Sequence, residues 1–291
     1  MKPAIALIGP GRVGCAVTRR LHLAGYPVMA VIARERKRAV DACSFIGCPT
    51  GAATEDLTTA NKAEIILLAV PDDAIASVTE QLQNGRGLPE SATLIHFSGL
   101  HNAACMRRPK PTPQLLSLHP LLPFADRESA TNRLPGCPCT LEGDTTALPL
   151  GRELIRAIGG TPFVITGDKK ALYHGAASIA SNFFITLEDW ASQLLSECGI
   201  SRKEALPLLL PLVRASLDNL TEHGPEQGLT GPIVRGDVGT VARHLDELEQ
   251  LSPQQQETYR QLATMTLELA SRSGRLDASA AERLTNLLNK K

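Results

Sequence analysis

Residues 4–14 read Ala4-Ile-Ala-Leu-Ile8-Gly9-Pro10-Gly11-Arg12-Val13-Gly14, and the chain then runs through Cys15-Ala-Val17 and Leu21 to Ala24-Gly25. Five apolar residues, a glycine turn and a segment with apolar positions at Val13, Val17, Leu21 and Ala24 spell a buried strand, a tight loop and an amphipathic helix. Gly25 stops the helix. In such a loop each glycine has its own role. Gly9 permits the turn, Gly11 lets backbone approach a diphosphate, and Gly14 allows close helix–strand packing. The unsatisfied amides at the helix start and the helix dipole then favour an anion. Residues Gly9, Pro10, Gly11, Arg12, Val13 and Gly14 are therefore candidate ligands of a dinucleotide.

Working outward, the pattern repeats. Val28 to Ile32 reads as a second strand and Arg36 to Ile46 as a helix closed by Gly47. Glu64 to Val70 is a buried strand stopped by Pro71, and Asp72 or Asp73 is positioned to cap a helix through Leu82. Strands follow at 92–97, 115–118, 139–141 and 162–165, with a helix over 146–158 before the last. Short apolar runs alternating with helices predict a doubly wound, mostly parallel α/β sheet. From Asp168 only helical patterns remain, over 169–198, 201–220, 237–251, 253–273 and 278–288. Ser201 to Glu204 and Ser252 to Gln255 have capping-box spacing. The expected organisation is a Rossmann domain over 1–166 and an all-α domain over 167–291.

Thirty basic and thirty acidic residues cancel, which argues against nucleic acid or a membrane surface as partner. No run of about 18 apolar residues exists, and the opening segment is too short for a signal peptide. Seven cysteines, an odd number, fit reduced thiols and a cytoplasmic protein. Cys137 and Cys139 flank Pro138 but lack a second ligand pair, so no metal is expected.

The choice between NAD and NADP is read about 20 residues beyond the glycine loop, where the second strand ends. There stands Ala33-Arg34-Glu35-Arg36-Lys37-Arg38. Arg34 is placed to grip a ribose 2′-phosphate, with Lys37 and its neighbours adding charge, so NADP(H) is favoured. Glu35 as a ribose ligand, and NAD(H) with it, is the alternative. Val70 and Pro71 end the fourth strand and are expected to border the cofactor.

With these residues in hand, the chain resembles a family of Rossmann-like proteins, described as NADP-dependent oxidoreductase-like, with a C-terminal helical domain of unknown function. The family belongs with 6-phosphogluconate dehydrogenase, β-hydroxyacid dehydrogenases, pyrroline-5-carboxylate reductase and prephenate dehydrogenase. The resemblance spans essentially the whole chain and rests on Gly9 to Gly14, Leu68 to Asp72, His96 to Gly99, Leu118-His119-Pro120, Tyr173 to Ser178 with Asn182, Leu229 to Pro232 and Arg235 to Asp237. It implies a 6-phosphogluconate dehydrogenase C-terminal-like helical domain that binds substrate and pairs with a second copy as a homodimer. One departure is marked: Asn182 matches an asparagine of the β-hydroxyacid dehydrogenases, but Ser178 stands where their catalytic lysine would be.

Hydride transfer needs a hydrogen-bond donor at the atom that gains a proton, a role suited to histidine. His119 ends a strand, and His174 and Asn182 share nearly one face of the next helix. Ser98 ends another strand. These four are the catalytic candidates. His96, alternating with apolar neighbours, reads as a satisfied core histidine. Asp237 reads as a helix cap, and Arg235 as a candidate ligand for a substrate carboxylate. The function expected is NADP(H)-dependent reduction or oxidation of a small keto or imino compound. Two other readings stay open: a dinucleotide-binding sensor or interaction protein without turnover, which Ser178 favours, and a prephenate-type dehydrogenase.

Overall fold

The computed structural model describes residues 1–84, 88–108 and 113–290. The chain divides into two compact units, Met1–Phe184 and Ile185–Lys291.

The first unit is built on one sheet. Its strands are β1 (Ile5–Ile8), β2 (Val28–Ile32), β3 (Ala53–Thr54), β4 (Ile65–Leu68), β5 (Thr93–His96), β6 (Gln114–Pro120), β7 (Pro138–Gly143) and β8 (Thr161–Val164). They lie in the order β3-β2-β1-β4-β5-β6-β7-β8. All neighbouring pairs are parallel except β6 and β7. The order reverses between β1 and β4, the switch point at which open α/β sheets bind ligands at their carboxyl ends.

Alternation along β1 divides the core. Ile5 and Leu7 join Val17, Leu21 and Ile46 on one face, from α1 (Arg12–Leu23) and α2 (Arg36–Ile46). Ala6 and Ile8 join Ile75 and Leu82 on the other, from α3 (Ile75–Gln83). Both faces are apolar because helices cover both. Two further helices, α4 (Arg127–Arg133) and α5 (Leu148–Ala157), complete this layer. Neither β3 nor α4 has a pattern that predicts it. β3 is only two residues long, and α4 is seven residues held by its Asp126 cap, which accepts from the amides of Glu128 and Ser129.

The change of character near residue 166 marks where strands stop, yet the first compact unit runs on to Phe184. The reason is α6 (Lys170–Ser178), whose Lys170 and Tyr173 side chains hydrogen-bond to residues at the ends of β5 and β6. A π turn, Ile179–Phe183, links α6 to α7 (Phe184–Glu197).

The second unit is helical: α8 (Arg202–Gly228, interrupted at Gly224), α9 (Val238–Leu251), α10 (Pro253–Arg272) and α11 (Ala278–Leu288). Val241, Leu245, Ala263, Leu267, Leu284 and Leu288 form its core. Asp237 caps α9, accepting from the Thr240 amide at 3.0 Å. The two capping boxes are not made. Ser201 donates to the Glu204 carboxylate instead of accepting an amide, and Ser252 makes no side-chain cap. All seven cysteines are unpaired. Among the described residues no helix is long and apolar enough to cross a membrane.

Space is scarce at the turn after β1. A Cβ on Gly14 would stand 2.7 Å from the Ala69 Cβ and 2.9 Å from the Leu7 Cδ1, whereas one on Gly11 would meet nothing nearer than 3.9 Å. Gly14→Ala is therefore expected to destabilise the first unit by about 1–3 kcal/mol. Gly11→Ala should stay within about 0.5 kcal/mol of the parent in urea unfolding. Equal losses for the two variants would contradict the packing described.

Candidate active site

Two groups of side chains gather at the carboxyl end of the sheet. The first is the turn after β1. Gly9 has φ +78°, and an added Cβ there would lie 2.8 Å from the Ala69 carbonyl oxygen and 2.8 Å from the Val70 Cγ1. The loop after β4, with Val70 and Pro71, thus lies directly against the glycine turn. Gly11 precedes α1 in extended conformation, and no side chain caps that helix end. The first-turn amides of α1, with bare Gly11 beside them, form a cradle that fits a diphosphate. Arg12 and Val13 open the helix. The Arg12 guanidinium reaches the Phe124 carbonyl at 3.4 Å. Arg34, Glu35 and Lys37 follow β2 and are exposed. One carboxylate not foreseen stands among these bases: Glu55, which accepts the Arg36 amide at 2.7 Å.

The second group lies along β5 and β6. Parallel strands are spaced about 4.8 Å apart, so β6 lies roughly 14 Å from β1 across β4 and β5. α6 delivers Lys170, Tyr173 and His174 to it from one face, at i, i+3 and i+4. The His119 Nδ1 meets the Tyr173 hydroxyl at 2.8 Å. The His119 and His174 rings stand edge to face, 6.1 Å between centroids. Between them is Gly99, where an added Cβ would come within 2.6 Å of the His174 Nδ1 and 3.0 Å of the His119 Nε2. The His174 Nδ1 is buried and has no hydrogen-bond partner in the protein. Two imidazole nitrogens thus converge on a bare Cα.

Beneath this pair runs a polar network. Lys170 is 1% exposed, and its ammonium donates to the Ser98 carbonyl at 2.7 Å and the Ser117 hydroxyl at 2.5 Å. The Ser98 hydroxyl donates to Asp72 at 2.8 Å and accepts the amides of Leu100 and His101. Asp72 therefore does not cap the helix after β4, because its carboxylate faces Ser98. Ser98, a candidate for touching substrate, is committed to its own turn. His96 is fully buried. Its Nδ1 accepts the Ser98 amide, so Nε2 carries the proton and donates to the Asn102 carbonyl, as expected of a core histidine.

Burial, aided by the Lys170 charge, pushes His96 down to about 4. Burial, then Lys170 and His174, does the same to His119, again to about 4. Lys170 is itself pushed down to about 8 by burial, which Glu142 and Asp72 oppose. At neutral pH both these histidines are neutral and Lys170 is mainly charged.

Of the catalytic candidates, the structure brings His119, His174 and Ser98 together. Asn182 lies in the π turn, a rare geometry often found at functional sites. Arg235 is exposed in the second unit, in the turn before α9. Lys170 and Ser117 were not singled out from the sequence, and Tyr173 and Gly99 entered only within the resemblance motifs, without a role. The signal for Lys170 and Tyr173 was the helical spacing from His174. Ser117 has the period-2 spacing from His119 that sets both on one face of β6.

Residues 4–95 match the family described as NADP oxidoreductase coenzyme F420-dependent, and residues 137–266 match a domain of unknown function (DUF2520). No curated protein matches. Among solved structures, a protein from Thermotoga maritima is 27% identical, with 93% of this chain and 100% of that one covered and a TM-score of 0.75. A pyrroline-5-carboxylate reductase from Coxiella burnetii is 16% identical over 99% of both chains, TM-score 0.59. The Plasmodium falciparum pyrroline carboxylate reductase with NADP bound is 13% identical over 98% of both, TM-score 0.58. The last two likenesses are of fold. Together the matches show a Rossmann-type fold in which residues 4–95 are similar to an NADP oxidoreductase family and residues 137–266 to a domain of unknown function, the two kinds of likeness that the sequence resemblance names.

The close approach of both imidazoles to Gly99 makes a direct prediction. In Gly99→Ala the new methyl should displace both imidazoles, moving the ring signals of His119 and His174 in NMR spectra while those of His96 stay in place. Unmoved signals for the pair would refute the convergence.

Proposed function

Taking the chain as an NADP-oxidoreductase-type region joined to that domain of unknown function, we propose that it transfers hydride between NADP(H) and a small keto or imino compound bearing a carboxylate. The observation that carries this reading is the pair of imidazole nitrogens facing Gly99, at the same carboxyl end of the sheet as the glycine cradle. The cradle from Gly9 to Gly14 binds the diphosphate, flanked by Val70 and Pro71. Arg34, with Lys37, takes the 2′-phosphate. A nicotinamide dinucleotide held there supplies or accepts the hydride.

The chain's own groups then act on the substrate. With the Tyr173 hydroxyl donating to Nδ1, the His119 Nε2 carries a proton and hydrogen-bonds the oxygen or nitrogen of the C=O or C=N group. The unpartnered His174 Nδ1 provides the second contact to that atom. Such donors favour the charge that grows there as hydride arrives at carbon. Asn182 contributes an amide contact to the same substrate. Ser98 acts through the turn that sets Gly99 in place. The reductases of similar fold act, by their names, on a carboxylated pyrroline. Ser178, in place of a lysine, is consistent with histidine donors, and it also favours the alternative of a dinucleotide-binding protein without turnover.

The test is a thermal-shift titration with NADPH and NADH, followed by a screen of oxo and imino acids for NADPH oxidation. NADPH should bind more tightly than NADH, and Arg34→Ala should remove most of that difference, roughly tenfold or more in Kd. Equal loss for both cofactors would sink the 2′-phosphate role. Binding without turnover across the panel would favour the sensor reading.

A homodimer is part of the same proposal. Leu206, Leu208, Leu212, Leu217 and Leu220 on α8 are exposed, more apolar surface than a helix left in water usually shows. Sedimentation should give twice the 31.1 kDa chain mass. Replacing Leu208 and Leu212 by Glu should return it to the monomer.

A further inference from the structure

Lys170 is a fully buried ammonium that the sequence did not single out, and its surroundings say what it does. It lies on α6 one turn before Tyr173 and His174, the residues that contact and flank His119. Its two bonds go to the Ser98 carbonyl and to the Ser117 hydroxyl, which itself donates to Ser98 at 3.3 Å. Ser98 precedes Gly99, the residue under both imidazoles, and Ser117 precedes His119 by two on the same strand. A buried cation of this kind is costly unless a countercharge or a function offsets it. It has no ion-pair contact among the described residues.

We propose that Lys170 is a positioning residue: it clamps the Ser98–Gly99 turn beneath His119 and, as a fixed charge beneath that turn, adds to burial in opposing a second positive charge there, so that the imidazole meets substrate as a hydrogen-bond donor rather than a cation. This deepens the oxidoreductase reading and rests on it for the existence of a substrate, although the electrostatic claim stands without turnover.

The groups around His119 define what must be controlled. From α6 come Lys170, Tyr173 and His174, and from the loop after β4 comes Asp72, whose charge works in the opposite sense. His96 on β5 also faces Lys170. Glu142 on β7 and Cys105 act on Lys170 itself. A second positive charge at His119 is opposed first by burial, then by Lys170 and His174, and only Asp72 favours it. A neutral imidazole polarises a C=O bond, or the C=N bond of an unprotonated imine, through its N–H, and the acceptor lone pair on the oxygen or nitrogen completes the hydrogen bond.

The measurement is the imidazole titration of His119, followed by NMR in the full-length protein. In the parent, His119 should remain neutral from pH 7.5 down to about 5. In Lys170→Met, which keeps the aliphatic stem and removes the charge, the His119 midpoint should rise by about one unit. Ser117→Ala loosens the same bonds but leaves the charge, and should leave the midpoint unmoved. No rise in Lys170→Met, or an equal rise in Ser117→Ala, overturns the proposal, since the second result would mean that water had merely entered. Should Lys170→Met not fold, the parent still decides: as Lys170 loses its proton near pH 8, the His119 ring signals should shift in step. Independence of the two titrations would count against the assignment. NADPH binding to the same samples tests the oxidoreductase reading separately, so failure of either is recognisable.

Discussion

The constraint on which the first unit depends is the contact between the turn leaving β1 and the chain leaving β4. Gly9 and Gly14 both face Ala69 at distances that leave no room for a side chain. Because the two strands are neighbours whose connections diverge to opposite faces of the sheet, their carboxyl ends open a crevice. The close approach holds α1 against the sheet with its first amides at the lip of that crevice. Everything that makes the site suitable for a dinucleotide follows from this packing, and no charged side chain is needed to create it.

The second half of the site obeys a different rule. At the ends of β5 and β6 the interior is polar, and each buried group has to find a partner. Ser98 serves as a junction: its hydroxyl holds Asp72 and two amides, and its carbonyl holds Lys170 and Ser117. A satisfied network of this sort is rigid. It carries Gly99 and His119, so the gap between the two imidazoles is set by bonds several residues away. Against that background the buried His174 Nδ1 without a protein partner is informative, because nearly all such atoms are paired in folded proteins.

Much of this was legible in the sequence because it is local. The strand, glycine turn and helix at residues 5–23 follow from apolar periodicity and from the steric needs of a tight turn. The boundaries at Val28–Ile32, Arg36–Ile46 and Ala278–Leu288 follow in the same way. His119 and His174 could be singled out because each stands at the end or the start of an element. What failed were inferences about which of two partners a polar group would take. Ser201 chose its own Glu204 over an amide, and Asp72 chose Ser98 over the helix beside it.

The sequence by itself determined the order of elements, the parallel sheet and the phosphate-type turn, since these depend on periodicity and on backbone sterics within a few residues. Tertiary structure alone decided that α6 packs on the sheet end, that Lys170 is buried, and that Gly99 lies between two histidines. Those outcomes join residues more than fifty positions apart. A lysine on a helix looks the same in the sequence whether water or a carbonyl receives its protons, and only the packed neighbours settle which.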